Sequence, residues 1–420
     1  MLIHVVNRGD VLWRIAEYYE VNINEIIKIN GLTNPDLLLE GESLLIPSPG
    51  FSYTIKYGDS LQEIAKRFSV PLRELIVSNR IFNPNLIFPG IRLTIPQQRR
   101  PPIEANGISY VFGEIDVQLL RNTINYLTYL TPFSYLAGED GSLFSINDEQ
   151  AIQFSISNNV IPIMSVVNYT YYEAGTDVAH AIFNNTDVMN ELIDNIISTM
   201  YQKGYKGVKF DFDNVLSEDR EAYNNFLQLA GSRLDTEGFY ISTSLTPKFS
   251  DLDFMAYDYE SHGRIVDFIL LKTYNWGAKN DGIPGPITPI NDLRRVLDYA
   301  ASLIPRDKIF IGLPLYAKDW FIPHIRGQEA ETKSIQTAMD IAQRNNAQIQ
   351  YDEISQSPFY YYRDQSGRMH EVWFEDPKSL QAKFDLVKEY GIRGITYWNL
   401  VYEFIQNWHL LEDNFIIVKD

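Results

Sequence analysis

Two carboxylates lie two residues apart at the end of an apolar segment, in the sequence GVKFDFDN at residues 207–214. Side chains on a β-strand alternate between its two faces, so Asp211 and Asp213 are expected to point the same way. Phe210 and Phe212 would then face a layer of helices, which leaves the two acids directed into the interior of a barrel. We interpret the acids as catalytic candidates. The alternative is that they only face water or cap the next helix.

The segment before this strand has the apolar spacing of a helix, with a cap at Thr186 or Asp187 and an end at Gly204. Its apolar stripe consists of Val188, Met189, Leu192, Ile193, Ile196, Ile197 and Met200. A helix, a tight turn and a strand with acids at its carboxyl end are the means by which an α/β barrel builds its catalytic face.

Apolar segments with helical segments between them recur along the rest of the chain. They are Ile108 to Phe112, Leu127 to Leu136, Val160 to Val167, Val208 to Phe212, Tyr240 to Leu245, Val266 to Tyr274, Ile309 to Leu315 and Gly394 to Trp398. Eight such strands favour an α/β fold of the closed (β/α)8 TIM barrel type over an open sheet. After strand seven, a helical pattern over 335–342 and two aromatic segments around a turn at 364–367 predict a small α+β insertion.

The first hundred residues contain an internal repeat with a constant offset of 49 residues. Gly9-Asp10 recurs as Gly58-Asp59, and Ile46-Pro47 recurs as Ile95-Pro96. Each copy reads as a strand, two short amphipathic helices and a second strand. The sequence therefore predicts two small βααβ modules in front of the barrel.

Composition restricts the partners of the chain. With 54 acidic and 36 basic residues, the formal charge of -18 opposes binding to nucleic acid. Cysteine is absent and the six histidines are scattered, so neither a disulfide framework nor a metal site is expected, and no cofactor is predicted. Neither a signal peptide nor a membrane span is expected from the apolar pattern.

The repeated unit resembles the LysM domain, a family that binds N-acetylglucosamine-containing polymers such as peptidoglycan or chitin. The resemblance implies glycan contacts from the loop after the first strand and the loop before the last strand of each copy. The residues implied are Gly9, Asp10, Leu12 and Asn34 in the first copy and Gly58, Asp59, Ser60, Leu61 and Asn83 in the second. Val11 stands where the second copy has Ser60, which removes a helix-capping hydroxyl and weakens the first copy by about 1 kcal/mol.

The segment GVKFDFDN resembles the active-site strand of glycoside hydrolase family 18, whose pattern is DxxDxDxE. The family resemblance extends to Tyr274-Asn275-Trp276 on strand six and to Trp398 on strand eight. It covers nearly all of residues 103–420. The resulting domain boundaries are 1–48 and 50–97 for the LysM modules, 98–102 for a stiff proline-containing linker and 103–420 for the barrel.

In that family the last acid of the motif protonates the glycosidic oxygen, and the N-acetyl carbonyl of the substrate attacks the anomeric carbon. By position, the resemblance makes Asp213 the acid and Asp211 the group that orients the N-acetyl substituent. Tyr274 would donate a hydrogen bond to the N-acetyl carbonyl. Asn275, Trp276 and Trp398 would contact the sugar, with Trp398 as its floor.

The chain also departs from the family pattern. Lys206 and Lys209 stand in place of the first two acids, Asp213 in place of a glutamate, and Asn275 in place of an aspartate. Val167-Asn168 fills the place of a small-residue pair on strand three. A side chain shorter by one methylene withdraws its carboxyl by about 1 Å, and a displacement of that size can cost about a hundredfold in rate.

The combined layout is similar to the cortical-fragment N-acetylglucosaminidases of bacterial spores that act in germination. It implies an attenuated, substrate-assisted hydrolase of peptidoglycan at the spore surface or cortex, deposited there from the mother cell. Its partners would be peptidoglycan or muropeptide fragments or chitin oligomers, with no nucleic acid and no membrane. The alternative is a non-catalytic glycan-binding protein with a degenerate barrel.

Overall fold

The computed structural model of the protein describes residues 1–47, 52–68, 70–96, 100–110, 120–170, 173–274, 283–325 and 327–419. Two small N-terminal modules precede a barrel domain. The first module consists of β1 (Leu2–Val5), α1 (Leu12–Tyr19), α2 (Ile23–Asn30) and β2 (Ser43–Ile46). The second consists of β3 (Ser52–Thr54), α3 (Leu61–Arg67), α4 (Leu72–Ser78) and β4 (Arg92–Thr94). In each module the two strands pair in antiparallel fashion, which confirms the predicted βααβ units.

A side-chain amide at the same repeat position ties helix to strand in both modules. Asn30 Nδ2 donates to the Leu45 carbonyl at 2.7 Å, and its Oδ1 accepts from the Leu45 amide at 2.7 Å. Asn79 makes the same two bonds to Thr94, at 2.7 and 2.6 Å. An amide side chain matches both the donor and the acceptor of one peptide group, which explains why asparagine occurs in both copies.

The barrel domain carries the remaining strands of the described chain. They are β5 (Pro102–Tyr110), β6 (Tyr129–Phe133), β7 (Tyr135–Ala137), β8 (Leu143–Phe144), β9 (Ile161–Val167), β10 (Gly207–Asp211), β11 (Tyr240–Leu245), β12 (Phe268–Leu271), β13 (Ile309–Pro314), β14 (Tyr316–Ile322), β15 (Glu331–Ser334), β16 (Gln350–Asp352), β17 (Ser357–Arg363), β18 (Met369–Trp373), β19 (Gly394–Trp398) and β20 (Ile416–Ile417). Eight of them, β5, β6, β9, β10, β11, β12, β13 and β19, pair in that order with parallel neighbours, and β19 pairs with β5. The predicted closed TIM barrel is confirmed.

Helices follow the barrel strands along the chain. They are α5 (Glu149–Ser157), α6 (Thr176–Phe183), α7 (Thr186–Lys203), α8 (Arg220–Thr236), α9 (Tyr259–Ile265), α10 (Ile290–Leu303), α11 (Ile335–Arg344), α12 (Pro377–Tyr390) and α13 (Ile405–Asn414). Short 3-10 turns occur at Ile124–Tyr126, Ser217–Asp219 and Arg306–Lys308. Among the helices of the described residues, none combines the length and apolar character needed to cross a bilayer.

Two expectations about the elements need correction. The cap of α7 is Asn185, whose Oδ1 accepts from the Asp187 amide at 3.0 Å, and not Thr186 or Asp187. Strand β5 begins at Pro102, six residues before the predicted start at Ile108, because its inward side chain Asn106 is polar and obscured the apolar pattern.

The predicted α+β insertion after strand seven is confirmed. It consists of helix α11 and a five-stranded sheet in the order β15-β14-β18-β17-β16, in which the predicted hairpin is the β17–β18 pair.

The barrel interior contains both apolar and polar side chains. The apolar cluster consists of Ile108, Tyr129, Ile161, Ile163, Phe268, Leu270 and Phe310. Asn106 and Thr131 share a side-chain hydrogen bond of 2.9 Å between neighbouring strands. The acids at the end of β10 lie near the carboxyl ends of the strands, where barrel enzymes hold their active sites.

The first module packs directly on the barrel domain. Leu39 and Leu45 belong to the same apolar core as the barrel helices. The Ile349 amide donates to the Glu40 carbonyl at 2.9 Å, and Gln406 Nε2 donates to Asn30 Oδ1 at 2.8 Å. Gly41 has a φ of +89°, and a Cβ at this position would lie 1.9 Å from the Ile349 carbonyl oxygen. Only glycine permits this approach, so the contact depends on the backbone of the loop before β2.

The two modules differ in the cap of their first helix. Ser60 caps α3 by accepting from the Glu63 amide at 3.2 Å, and the Glu63 carboxylate accepts from the Ser60 amide at 3.3 Å. Val11 caps α1 without a side-chain hydrogen bond. The expected loss of a capping group in the first copy is confirmed.

Ser60→Ala is expected to destabilise α3 by about 1 kcal/mol because it removes the capping oxygen. Amide hydrogen exchange within residues 61–67 should become roughly fivefold faster. Val11→Ala is the matched control, since it removes no cap, and exchange in α1 should change much less. Equal changes in the two helices would contradict the role of the cap.

Candidate active site

A cavity of about 640 Å³ opens at the carboxyl ends of the barrel strands. Its lining includes the predicted catalytic candidates Asp211, Asp213 and Tyr274 together with Trp398. Phe210 and Phe212 are buried among apolar side chains of the helical layer, including Phe226 of α8. The alternation of the strand thus places the two acids together in one cavity.

Asp211 and Asp213 have different surroundings. The Asp211 side chain is 2% exposed and that of Asp213 is 33% exposed. The backbone of Asp213 is fixed by Asn168, whose Oδ1 accepts from the Asp213 amide at 2.9 Å and whose Nδ2 donates to the Asp213 carbonyl at 2.8 Å. The outer acid is therefore held on a rigid backbone with its carboxyl open to the cavity.

Lys272, which directly follows β12, joins the two acids. Its Nζ donates to Asp211 Oδ1 at 3.0 Å and also to Asp213 Oδ1. Burial alone would lower the pKa of Lys272, but the carboxylates of Asp211 and Asp213 outweigh burial and hold that pKa well above its usual range. Lys272 is therefore a permanent positive charge between the two acids. Lys272 lies beyond the end of β12, where the alternation of a strand no longer indicates direction, so the sequence pattern did not predict this contact.

A second ammonium lies on the other side of Asp211. Lys209 is 1% exposed, and its Nζ lies 3.8 Å from Asp211 Oδ2 without a hydrogen-bond partner among the described residues. Burial lowers the pKa of Lys209 to about 8; Asp211 opposes this shift and the charge of Lys272 adds to it. Lys209 precedes Asp211 by two residues on β10 and points into the barrel with it.

An aromatic pair forms one side of the cavity. The rings of Tyr274 and Trp398 stack with centroids 5.7 Å apart and an interplanar angle of 6°. Burial raises the pKa of Tyr274 well above its usual range, with the Asp211 charge acting in the same direction, so the phenol stays protonated as a donor. A Cβ on Gly312 would lie 2.4 Å from Tyr274 Cδ1. The Tyr274 ring can occupy its position because residue 312 has no side chain. Asn275 and Trp276 lie outside the described residues.

Two further tyrosines of the cavity were not predicted. Tyr169 and Tyr257 line it, and Tyr257 Oη donates to the Phe212 carbonyl at 3.1 Å. Both follow strands in irregular segments, where no periodicity indicates the direction of a side chain. Nothing in the sequence pattern distinguished them from the other 25 tyrosines of the 27 in the chain.

The glycan residues implied for the N-terminal modules fall into two groups. Gly9, Gly58, Ser60, Asn34 and Asn83 are exposed in the expected loops. Leu12 and Leu61 are instead buried in the core of the modules, so their side chains cannot contact a polymer in this structure. Each is the first residue of a helix, and its apolar side chain closes the core beneath the loop.

The two loop aspartates are held by side chains at equivalent positions of the repeat. Asp10 Oδ2 accepts from the Asn7 amide at 2.8 Å and lies 3.1 Å from His4 Nε2. Asp59 Oδ2 accepts from the Lys56 amide at 2.7 Å and from Tyr53 Oη at 2.7 Å. Both carboxylates therefore shape the loop, and the exposed glycines beside them have φ angles of +89° and +93°.

In the described part of the chain, no three histidine, aspartate or glutamate side chains gather in a way that could hold a metal ion. The chemistry available in the cavity is that of two carboxylates, two ammonium groups and tyrosine hydroxyls. Such a set can transfer protons and stabilise charge next to an aromatic floor.

Comparisons with known proteins agree with the fold. The family model of glycosyl hydrolases family 18 matches residues 113–403, and the LysM domain model matches residues 4–47 and 53–96. The chain is 44% identical over 428 residues to a cortical fragment-lytic enzyme of Bacillus subtilis, covering 100% of this chain and 99% of the relative. It is 41% identical to a cortical fragment-lytic enzyme of Bacillus anthracis, covering 99% and 98%. The crystal structure of the Bacillus megaterium spore cortex-lytic enzyme SleL superposes with a TM-score of 0.88 at 36% identity, covering 100% and 99%.

Lys209→Met is expected to raise the free energy of unfolding at pH 7 by about 1–3 kcal/mol, because it removes a buried charge without breaking a hydrogen bond. Above pH 8 the folded state releases the proton of Lys209, whereas the unfolded chain keeps it up to about 10.5. The free energy of unfolding of the wild type therefore rises between pH 8 and about 10.5, and the difference in stability between Lys209→Met and the wild type becomes smaller. Urea unfolding from pH 7 to 10 measures the difference.

Lys206→Met provides the control, since Lys206 belongs to the same sequence motif but is exposed. Its effect should stay within about 0.5 kcal/mol at every pH. A Lys209→Met advantage that does not change with pH would contradict a charged, buried Lys209.

Proposed function

The chain belongs to glycosyl hydrolase family 18 and is classed on that membership as a glycosidase with two LysM domains, and we propose that it hydrolyses N-acetylglucosamine linkages in peptidoglycan of the spore cortex. The observation that carries the proposal is the cavity in which Asp211 and Asp213 lie beside the stacked pair of Tyr274 and Trp398. Its volume of about 640 Å³ is within the range of pockets that enclose small ligands.

The proposed reaction uses the N-acetyl group of the substrate as the nucleophile. Asp213 gives its proton to the glycosidic oxygen as the bond from this oxygen to the anomeric carbon breaks. The N-acetyl carbonyl oxygen bonds to the anomeric carbon from the other face and forms an oxazolinium ring. Water then opens the ring and returns a proton to Asp213, so the configuration of the sugar is retained.

Asp211 and Tyr274 act on the N-acetyl group in this proposal. The Asp211 carboxylate is buried and accepts from the amide N–H, which carries positive charge in the ring. The Tyr274 hydroxyl is a protonated donor and holds the carbonyl oxygen in line for attack. Trp398 supplies an apolar face on which the pyranose stacks.

Lys272 makes this reaction slow. The proposed acid must bring its carboxyl to the glycosidic oxygen, and Asp213 Oδ1 is already engaged by the Lys272 ammonium, which must release it first. The same ammonium neutralises Asp211 and so weakens its attraction for the oxazolinium ring. Together with the short side chain of Asp213, Lys272 gives a physical reason for attenuated turnover.

The substrate and the location are proposed from the relatives. Two relatives that match the chain over nearly its full length are cortical fragment-lytic enzymes, which supports cortex peptidoglycan as the polymer and the spore as the place of action. The LysM pair supports binding to the polymer, because this family recognises its N-acetylglucosamine units. Muropeptide fragments and chitin oligomers are the soluble ligands to compare.

A second candidate function is favoured by the ion pairs of Lys272. If Lys272 keeps its bond to Asp213 when the polymer is bound, the barrel is a cleft that binds N-acetylglucosamine polymers without cleaving them. The exposed loop residues of the LysM domains and the stacked Tyr274–Trp398 pair would serve this function equally well.

Asp213→Glu and Lys272→Met are each expected to raise the rate at which cortical fragments yield new reducing ends, by about tenfold or more. The first restores the reach of the acid, and the second frees the Asp213 carboxyl from the ammonium that engages it. Asp211→Asn is the control that should abolish release.

The same assay decides between the two functions. New reducing ends from the wild-type protein, abolished in Asp211→Asn, support the hydrolase. No release from the wild type, from either variant or from the double variant, with binding to the fragments intact, would leave the glycan-binding protein.

A further inference from the structure

The two LysM domains pack against each other and enclose a cavity of about 260 Å³, here named the seam cavity. It is lined by Tyr18 and Tyr19 of the first domain and by Tyr53, Arg67 and Arg92 of the second. Arg67 Nη2 donates across the seam to the Tyr18 carbonyl at 2.8 Å. None of the loop residues expected to bind glycan lines the cavity, so it is a separate place on the surface of the described residues.

Two guanidinium groups meet at this cavity without a carboxylate partner. Arg67 and Arg92 form no ion pair with any described residue, although the chain carries a formal charge of -18. Glu20 also lines the cavity, but its carboxylate is ion-paired with Lys56. Since acidic side chains are abundant, two unpaired guanidinium groups at one cavity indicate a site for an external anion.

Neighbouring groups hold the Arg67 guanidinium in one orientation. Its Cζ lies 4.0 Å from the Tyr18 ring centroid and 5.4 Å from that of Tyr53. Its Nη1 donates to Tyr53 Oη at 2.9 Å, while its Nε is buried without a partner. An arginine fixed by aromatic faces loses little entropy when it binds an anion.

Arg92 completes the site from the neighbouring strand. Arg92 Nε donates to Ser52 Oγ at 2.8 Å, and this bond leaves its two terminal nitrogens to form a fork. A planar fork of this kind matches the two oxygens of a carboxylate. The volume of about 260 Å³ is below the roughly 300 Å³ at which pockets begin to enclose drug-sized ligands, so a small acidic group fits better than a sugar ring.

The seam cavity is connected to the predicted glycan loop of the second domain. Tyr53 Oη accepts from Arg67 and donates to Asp59 Oδ2 at 2.7 Å. Asp59 in turn fixes the loop that contains the exposed Gly58 and Ser60. The Tyr53 hydroxyl therefore joins the seam cavity to the loop that is expected to bind the polymer.

We propose that the seam cavity binds a carboxylate carried by the glycan chain, either on a lactyl ether or on a stem peptide, and so distinguishes peptidoglycan from uncharged chitin. The inference rests on the proposed function for the choice of polymer. It adds recognition of a carboxylate to the contacts with sugar units that are expected from the loops of the LysM domains.

Arg92→Gln in the full chain tests the site, in an Asp213→Asn background so that no hydrolysis accompanies binding. Isothermal titration should show a five- to twentyfold weaker Kd for muropeptide glycan and an unchanged Kd for chitohexaose. Arg92→Lys should recover part of the affinity, since it keeps the charge but loses the fork. Arg73→Gln, an exposed arginine elsewhere in the second domain, should behave like the parent.

Chemical variants of the ligand identify the carboxylate. Hydrolysis of the amide bond to the stem peptide removes the peptide carboxylates and exposes the lactyl carboxylate, and conversion of all carboxylates to amides leaves neither kind. Arg92→Gln should weaken the Kd only for those glycan samples that carry the recognised carboxylate. An equal Kd for parent and Arg92→Gln on muropeptide glycan, or an equal loss on chitohexaose, would overturn the inference. Turnover plays no part in these titrations, so a failed hydrolase proposal would not be mistaken for a failed seam site.

Discussion

Burial of a carboxylate inside a closed barrel is unfavourable unless a positive charge accompanies it, and this constraint determines the whole site. Asp211 is almost completely buried, with Lys272 in hydrogen-bond contact on one side and Lys209 at 3.8 Å on the other. Lys272 compensates the charges of the two acids, whereas the burial of the Lys209 charge is itself unfavourable, as its lowered pKa indicates. The site therefore carries little net negative charge before a substrate arrives.

The sequence predicted those features that depend on strong periodicity. The alternation along β10 predicted that Asp211 and Asp213 share a direction, and the eight apolar segments predicted the barrel. What it missed depends on contacts between distant segments. The bond between Lys272 and both acids joins β12 to β10, and the direction of Tyr257 is set by a carbonyl 45 residues away.

Errors at element boundaries have equally local causes. Asn185 caps α7 because its short side chain reaches the amide two residues further along the chain. Thr186 and Asp187 are also residue types that commonly cap helices, so the sequence alone did not identify which of the three is the cap. Strand β14 follows β13 after a single residue, and the predicted segment Ile309 to Leu315 ends before it, because Lys318 and Asp319 interrupt the apolar pattern of β14. The buried positions of Leu12 and Leu61 show that a family motif combines residues that face the ligand with residues that support the loop from below.

The close packing of the first LysM domain on the barrel changes how attachment to a polymer assists the reaction. Gly41 packs against Ile349, and Leu45 lies in the core of the barrel domain. The first LysM domain is therefore packed on the barrel and is not attached to it only through a flexible linker. For a flexible linker the local concentration depends on linker length, whereas here it depends on whether a single stretch of polymer can span both surfaces at once. The fold therefore fixes the distance between the first LysM domain and the active-site cavity. In the proposed function, this distance sets how far along the glycan strand the reaction occurs from the bound LysM site.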